Sequence, residues 1–238
     1  MTVAGRHIFN VVEIFDSLEG EGKRAGATAT FIRLAGCNLR CGYCDTTHAL
    51  DKNSGTVMTL DEILDRINPA YKRVTLTGGE PLLAAGVDDL VMGLLAKGCE
   101  VNIETNGSID IKHFRERVTS GGVNRGGLFF TIDYKLPSSG ECDKMLEANY
   151  FSLCESDVIK FVLGNEEDVY AMNNLVERVN DFGVNREEMK PQIFIGSIYG
   201  AFGLPALAEI IIKNPILKDA RMQLQFHKII WGPDKQGV

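Results

Sequence analysis

The chain has 238 residues, of which 45% are hydrophobic and 24% are charged, and this is the usual composition of a soluble globular protein with a buried core. Its formal net charge of -7, without a long basic run, argues against a nucleic-acid partner held mainly through phosphate contacts. The first residues, MTVAGRHIFN, lack the apolar region of a signal peptide, and no run of about 18 apolar residues occurs, so we expect a cytoplasmic protein without membrane spans.

Strand-like and helix-like segments alternate along the chain. The first, TATFIRL (28–34), is predicted to be a strand that leads directly into a group of cysteines. Residues 59–67 are predicted to form a helix, because Thr59 and Glu62 have capping-box spacing ahead of an apolar face. This pair of segments is the first unit of a strand-and-helix pattern that continues to the end of the chain.

Five further apolar segments are predicted to be buried strands: 73–77, 100–105, 128–133, 158–163 and 192–197. Three helices are predicted to alternate with them: 87–97, 166–182 and 204–213. Gly98 and Gly183 stand where the first two of these helices should end. A last strand is predicted near MQLQFHKIIW (222–231). Alternation of this kind predicts parallel strands with crossover helices, and hence an α/β fold with a partial, shortened (β/α)6-type barrel in one domain, residues 1–238.

Unusual polar and glycine-rich segments follow the predicted strands. Cysteines follow the first strand, TGGEP (77–81) follows the second, ETNG (104–107) the third and DYKLPSSG (133–140) the fourth. Because the loops at the carboxyl ends of barrel strands meet at one face, we expect these four segments to converge on a single cavity.

The segment CNLRCGYCDTTH (37–48) brings three cysteines together with the spacing C-x3-C-x2-C. Three neighbouring thiols cannot all pair as disulfides, but Cys37, Cys41 and Cys44 can bind three corners of a 4Fe-4S cluster and leave one iron open. The alternative is a structural zinc site with His48 as the fourth ligand. Ordinary thiols are expected at the scattered cysteines, Cys99, Cys142 and Cys154.

This cysteine spacing after the first barrel strand resembles the hallmark of the radical S-adenosylmethionine (SAM) superfamily. The resemblance implies that SAM binds the open iron of the cluster. It also implies that Gly79 and Glu80 contact its methionine group, since glycines let the backbone approach closely and a carboxylate accepts from an ammonium group. Glu104 is suited to bind ribose hydroxyls, with a solvated loop carboxylate as the alternative.

A larger set of motifs resembles the 7-carboxy-7-deazaguanine synthase family. The motifs are EIFDSLEGEG (13–22), FIRLAGCNLRCGYCDTTHALD (31–51), TGGEP, ETNG, DYKLPSSG and HKIIWGPDKQGV (227–238). The resemblance implies a shortened radical SAM barrel, a homodimer, and ring contraction of 6-carboxy-5,6,7,8-tetrahydropterin to 7-carboxy-7-deazaguanine with loss of ammonia, in queuosine and deazapurine biosynthesis. It further implies a 4Fe-4S cluster, SAM and Mg²⁺ as cofactors, and an electron donor such as flavodoxin or ferredoxin.

The resemblance also assigns residues to the substrate. Glu21 would accept from the amino-pyrimidinone edge of the pterin, Arg33 would bind its carboxylate in a bidentate fork, and His227 would complete the catalytic set. The alternatives are a structural ion pair for Arg33, a solvated acidic turn for EGEG and a structural role for His227. The full set of substrate-side residues is Leu18, Glu19, Glu21, Arg33, Thr77 and His227.

On the cofactor side, the resemblance assigns Thr46 to Mg²⁺. The SAM contacts it implies are Tyr43, Gly79, Glu80, Glu104, Lys135 and Ser138. Two positions differ from many members of the family, which have Gln where this chain has Glu19 and Ser-Pro-Lys where it has residues 133–135.

Two other functions are compatible with parts of the sequence. An activase of glycyl-radical enzymes uses the same cysteine spacing but acts on a protein, and would need a docking surface that the motifs do not predict. A zinc-stabilised binding module without catalysis would need only the cysteines and His48.

Overall fold

One ten-stranded sheet organises the computed structural model, which describes residues 2–3, 6–120, 125–182, 190–233 and 235–238. Its strands are β1 (Thr2–Val3), β2 (Arg6–Leu18), β3 (Thr28–Leu34), β4 (Thr56–Thr59), β5 (Arg73–Gly78), β6 (Glu100–Thr105), β7 (Leu128–Asp133), β8 (Val158–Leu163), β9 (Gln192–Ser197) and β10 (Arg221–Met222). Neighbouring strands follow the order β1-β2-β3-β5-β6-β7-β8-β9-β10, and β4 pairs with β2.

The strands from β3 to β10 along this path are parallel, whereas β2 pairs antiparallel with β1, β3 and β4. Six helices accompany the sheet in the described ranges: α1 (Leu60–Asp65), α2 (Val87–Ala96), α3 (Ile111–Ser120), α4 (Glu166–Phe182), α5 (Leu204–Lys213) and α6 (Phe226–Ile230). In those ranges β1 and β10 lie at opposite ends of the path and do not pair, so the barrel is open. The predicted α/β class and partial barrel are confirmed.

Local signals predicted several elements correctly. Helix α1 begins with a capping box, in which Glu62 N donates to Thr59 Oγ1 (3.3 Å) and Thr59 N donates to Glu62 Oε2 (2.7 Å). Gly98 follows α2 with a φ of +77°, a conformation that glycine adopts without a steric penalty. The expected helix stop at Gly183 lies outside the described residues.

The predicted last strand near residues 222–231 is wrong. The pairing ends with β10 at Met222, and α6 occupies Phe226–Ile230. Phe226, Ile229 and Ile230 are spaced at i, i+3 and i+4, which is a helical pattern that the β-branched residues obscured. Four elements were not predicted at all: β1, β2, β4 and α3.

Successive side chains of the parallel strands point alternately into the hydrophobic core and into a central cavity. Ile32, Leu76, Ile103, Phe130 and Phe161 are fully buried and belong to the hydrophobic core that the helices cover. The residues beside them in sequence point the other way and line the cavity: Arg33, Thr77, Glu104, Thr131 and Lys160. Among the described helices, none has the length and apolar character needed to cross a membrane.

Candidate functional site

The cavity has a volume of about 300 Å³ and lies toward the carboxyl ends of the parallel strands. It gathers residues from every segment that was predicted to converge. Fourteen of the predicted site residues line it: Leu18, Glu19, Glu21, Arg33, Cys37, Cys41, Tyr43, Cys44, Thr46, Thr77, Gly79, Glu104, Lys135 and His227. The other two, Glu80 and Ser138, lie behind the lining.

The three cysteines of the motif are unpaired, half-buried and face the cavity. Burial raises the pKa of the Cys37 and Cys41 thiols, so a bound cation such as iron would favour the ionised sulfur at both positions. In the part of the chain that the structure describes, no three His, Cys, Asp or Glu side chains are grouped closely enough to hold one metal ion. A 4Fe-4S cluster binds each thiolate through a different iron, so three sulfurs around one cavity fit this group.

The TGGEP loop packs tightly against the start of the cysteine loop. A Cβ on Gly78, whose φ is +150°, would lie 2.1 Å from the Leu34 carbonyl oxygen, and a Cβ on Gly79 would lie 2.4 Å from that of Gly36. Both positions therefore require glycine. This close packing brings the Gly79 backbone to the cavity beside Cys37.

Glu80 connects the TGGEP loop to the ETNG loop. Its carboxylate is 1% exposed and accepts hydrogen bonds from Thr105 Oγ1 (2.8 Å), Asn106 N (2.7 Å) and Leu82 N (3.0 Å). Burial raises the pKa of Glu80 to about 7, although these three donors act in the opposite direction. Asn106 lines the cavity and donates to Asn38 Oδ1 (3.0 Å), so Glu80 contributes to the cavity wall through a neighbour.

Lys135 and Tyr43 form another part of the wall. Lys135 Nζ lies 2.6 Å from Asp133 Oδ2 and 6.0 Å from the centre of the Tyr43 ring. Burial raises the pKa of Tyr43 to about 12, so its phenol is neutral at physiological pH. Ser138 has a supporting position, because its N and Oγ donate to the buried carboxylate of Asp168 at 2.9 and 2.5 Å.

Glu19 is an ion-paired residue at the edge of the barrel interior. It is 2% exposed, and its Oε1 accepts from Arg24 Nη2 and Thr75 Oγ1. Burial raises the pKa of Glu19, and the Arg24 guanidinium opposes that effect. The buried Arg24 therefore accommodates a carboxylate at this position.

Glu21 and His227 both line the cavity and interact electrostatically. Glu21 forms an ion pair with Lys160, and its Oε1 is buried without a hydrogen-bond partner among the described residues. A Cβ on Gly20 would lie 2.4 Å from His227 Nδ1, so a glycine is needed for the histidine to approach. The pKa of His227 is lowered, because the effect of burial is larger than the opposing effect of the Glu21 carboxylate.

Arg33 combines the two roles considered for it. Its Nε donates to Glu13 Oε1 at 2.6 Å, which is a structural ion pair. Its terminal nitrogens donate to none of the described residues, and the side chain is 18% exposed toward the cavity. One edge of the guanidinium is thus held in place and the other is available for a carboxylate.

Thr46 lies beside a charged pair at the cavity rim. Its Oγ1 donates to Asp45 Oδ1 at 3.0 Å, and Lys228 Nζ lies 2.9 Å from the other oxygen of this half-exposed carboxylate. Partial burial raises the pKa of Asp45, but Lys228 outweighs that effect and the pKa is lowered to about 2. An ionised carboxylate therefore stands next to the threonine hydroxyl.

The sequence reading missed several charged residues of the cavity: Glu13, Asp45, Lys160 and Lys228. A signal existed for Lys160, since it is the one charged residue of the strand VIKFVL. Lys228 follows a predicted site residue and lies in α6, within the segment predicted to be the last strand.

Comparison with known proteins gives consistent matches. A family described as the Radical SAM superfamily matches residues 31–125. A protein of Clostridium acetobutylicum named 7-carboxy-7-deazaguanine synthase is 39% identical over 233 residues, which cover 97% of this chain and 99% of that protein. A protein of Chlorobaculum tepidum with the same name is 36% identical, covering 96% of this chain and 97% of that one.

Two solved structures share the fold. The crystal structure of QueE from Escherichia coli matches with a TM-score of 0.64 and 23% identity, covering 92% of this chain and 94% of that one. Streptococcus suis SuiB bound to S-adenosylmethionine matches with a TM-score of 0.53 and 13% identity, covering 82% of this chain and 53% of that one. Identities this low support the architecture alone.

Proposed function

Since the chain belongs to the 7-carboxy-7-deazaguanine synthase family, we propose that it is a radical SAM lyase that converts 6-carboxy-5,6,7,8-tetrahydropterin to 7-carboxy-7-deazaguanine with release of ammonia. One observation carries the proposal at the level of residues. The three cysteines, the residues assigned to SAM and the residues assigned to the pterin line the same cavity. This is the arrangement that a reaction between cofactor and substrate requires.

The cysteine loop and the neighbouring strand ends would hold the cofactors. Cys37, Cys41 and Cys44 would bind three irons of a 4Fe-4S cluster, and the cluster and SAM supply, when bound, the one-electron chemistry that starts the reaction by hydrogen-atom abstraction. Residues on the lining would contact SAM directly, namely Tyr43, Gly79, Glu104 and Lys135. Glu80 would support that surface from behind through Asn106, and Ser138, which is bonded to the buried Asp168, would hold the loop after Lys135 in place.

The substrate would lie between two anchors of different chemistry. Glu21 Oε1 would accept from the amino-pyrimidinone edge, and the free edge of Arg33 would bind the carboxylate. Leu18, Thr77 and His227 line the same cavity, as does Glu19, whose carboxylate is held by Arg24. Two fixed anchors on one small ligand restrict its orientation toward the cofactor.

We propose further that Thr46 binds Mg²⁺ together with substrate oxygens and water. The ionised Asp45 beside it favours a divalent cation, and magnesium prefers oxygen ligands and retains several waters. The family resemblance supports three other proposals: a homodimer, reduction by flavodoxin or ferredoxin, and a cytoplasmic location. The continuous sheet supports a single domain for residues 1–238.

Anaerobic turnover tests the proposed function. The reconstituted enzyme is incubated with SAM, a reductant, Mg²⁺ and the carboxylated tetrahydropterin, and products are identified by mass spectrometry. We expect 7-carboxy-7-deazaguanine and one equivalent of ammonia, and no product when SAM is omitted. Formation of 5'-deoxyadenosine without consumption of the pterin would instead indicate a radical enzyme with another substrate, such as a glycyl-radical activase. Iron-free protein with bound zinc would indicate the binding module.

A further inference from the structure

Lys160 is a cavity-facing charge in the middle of a core strand. Its neighbours along β8, Ile159 and Phe161, are buried in the hydrophobic core, whereas its own side chain reaches the cavity and is 15% exposed. Removing an ammonium group from water costs free energy unless it is paired, so a lysine at this position requires fixed partners. The roles assigned above leave Lys160 without a function.

The contact with Lys160 fixes the carboxylate of Glu21. The ammonium group pairs with Glu21 Oε2, while Oε1 is buried and has no hydrogen-bond partner in the described ranges. A buried acceptor that stays unpaired costs about 1–3 kcal/mol, and a donor from a ligand removes that cost. Glu21 therefore presents one oriented acceptor to the cavity.

The same ammonium group links the substrate side to the cofactor side. Lys160 Nζ lies 3.7 Å from Asp133 Oδ1, and Asp133 Oδ2 is paired with Lys135 at 2.6 Å. Glu21, Lys160, Asp133 and Lys135 thus form a row of alternating charges along the cavity lining. Each neighbour restrains the next, which limits the rotamers available to Glu21.

We propose that Lys160 is a positioning residue that orients Glu21 and thereby selects ligands with an amino donor at position 2 of the pyrimidine ring. The inference rests on the proposed function and adds to it a determinant of substrate class. A pterin presents a 2-amino donor to Glu21 Oε1. A lumazine, which has a carbonyl oxygen at that position, presents an acceptor and leaves Oε1 facing another oxygen.

Binding measurements test this inference independently of turnover. The probes are 6-carboxypterin and 6-carboxylumazine, titrated anaerobically into the reconstituted enzyme by calorimetry. We expect the wild type to prefer the pterin by about 10-fold or more. Lys160→Met should weaken pterin binding by about 10-fold or more and remove most of the preference, whereas Lys160→Arg should retain the preference because it keeps the charge.

Two further variants separate orientation from loss of stability. Arg115→Met breaks an ion pair with the fully buried Asp157 outside the cavity, and should lower the melting temperature while keeping the wild-type preference. If Lys160 acts through Glu21, then Lys160→Met should cost no further affinity in a Glu21→Ala background.

Additive losses in the double variant, or a wild-type preference in Lys160→Met, would overturn the role of Lys160 and leave the proposed function intact. Failure of the wild type to bind either compound would overturn the proposed function and this inference with it.

Discussion

Replacement of Glu104 by glutamine is expected to stabilise the protein at neutral and alkaline pH. Burial raises the pKa of Glu104 from 4.5 to about 7, and the nearby carboxylates of Glu19 and Glu21 act in the same direction against the opposing charge of Lys160. The ionised form is therefore disfavoured in the folded protein. Glutamine keeps the shape and the acceptor oxygen but cannot ionise.

The magnitude follows from the two pKa values. Their difference, at about 1.36 kcal/mol for each pKa unit, corresponds to about 3 kcal/mol. Because Glu104 lines a cavity that water enters, we take this value as an upper bound and expect about 1–3 kcal/mol. The stabilising contribution of the protonated carboxyl is complete below pH 4.5 and is lost as the pH rises through about 7.

Urea unfolding of both proteins in the same cluster-free state measures this effect between pH 5 and pH 8. The free energy of unfolding of Glu104→Gln should exceed that of the wild type by an amount that grows with pH and approaches about 1–3 kcal/mol at pH 8. Glu116→Gln, an exposed substitution on α3, is the matched control and should show no such growth. A difference that is independent of pH, or that favours the wild type at pH 8, would refute the reasoning.

The same variant should bind SAM more weakly, which would make the wild-type carboxylate a functional feature retained at a cost in stability.

Three further predictions concern the metals and the substrate carboxylate. Alanine at any cysteine of the motif should abolish iron loading, measured as iron and sulfide content, whereas alanine at Cys99 should not; iron loss in the Cys99 variant would mean that the ligand set is wrong. Arg33→Ala should lose about 1.5–3 kcal/mol of substrate binding, and a pterin lacking the carboxylate should be penalised in the wild type but little in the variant. Equal penalties in both proteins would place the carboxylate elsewhere. Thr46→Ala should raise the Mg²⁺ concentration needed for half-maximal turnover, and an unchanged requirement would remove Thr46 from the metal site.

Strands and helices whose signals lie in a few neighbouring residues could be predicted from the sequence. Apart from β10, the parallel strands are short apolar runs with turn signals at both ends, and α1 carries its own capping box, so their positions could be assigned from a few neighbouring residues. Strand β2 was missed because RHIFNVVEIFDSL mixes polar and apolar residues without strict alternation. It is a strand because β3 and β4 pair with it on both sides.

The missed parts of the candidate site depend on contacts between distant residues. No local pattern indicates that the Glu80 carboxylate meets the backbone of Asn106, 26 positions further on, or that Thr75 donates to Glu19, 56 positions earlier. The motif suggested a direct SAM contact for Glu80, whereas the structure places its carboxylate behind the cavity wall. The sequence also could not show which side chains of a predicted strand face the cavity. The inward orientation of Lys160 is set by the register of β8 with its two neighbouring strands.

The pairing of the β2–β3 connection with the segment after β10 has a consequence for how the protein acquires its shape. Gly22 N donates to Gln223 Oε1 at 2.7 Å, and Phe226 N donates to the Gly20 carbonyl at 3.1 Å, across about 200 positions of sequence. The cysteine loop and the TGGEP loop, by contrast, belong to neighbouring strands close together in the chain. Contacts between distant residues carry a larger loop-closure entropy and form slowly. During synthesis, the cysteine loop and the TGGEP loop can therefore pack together while the nascent chain is still growing, whereas the part of the cavity formed by Glu21 and His227 must wait until Gln223 and the residues after it have left the ribosome.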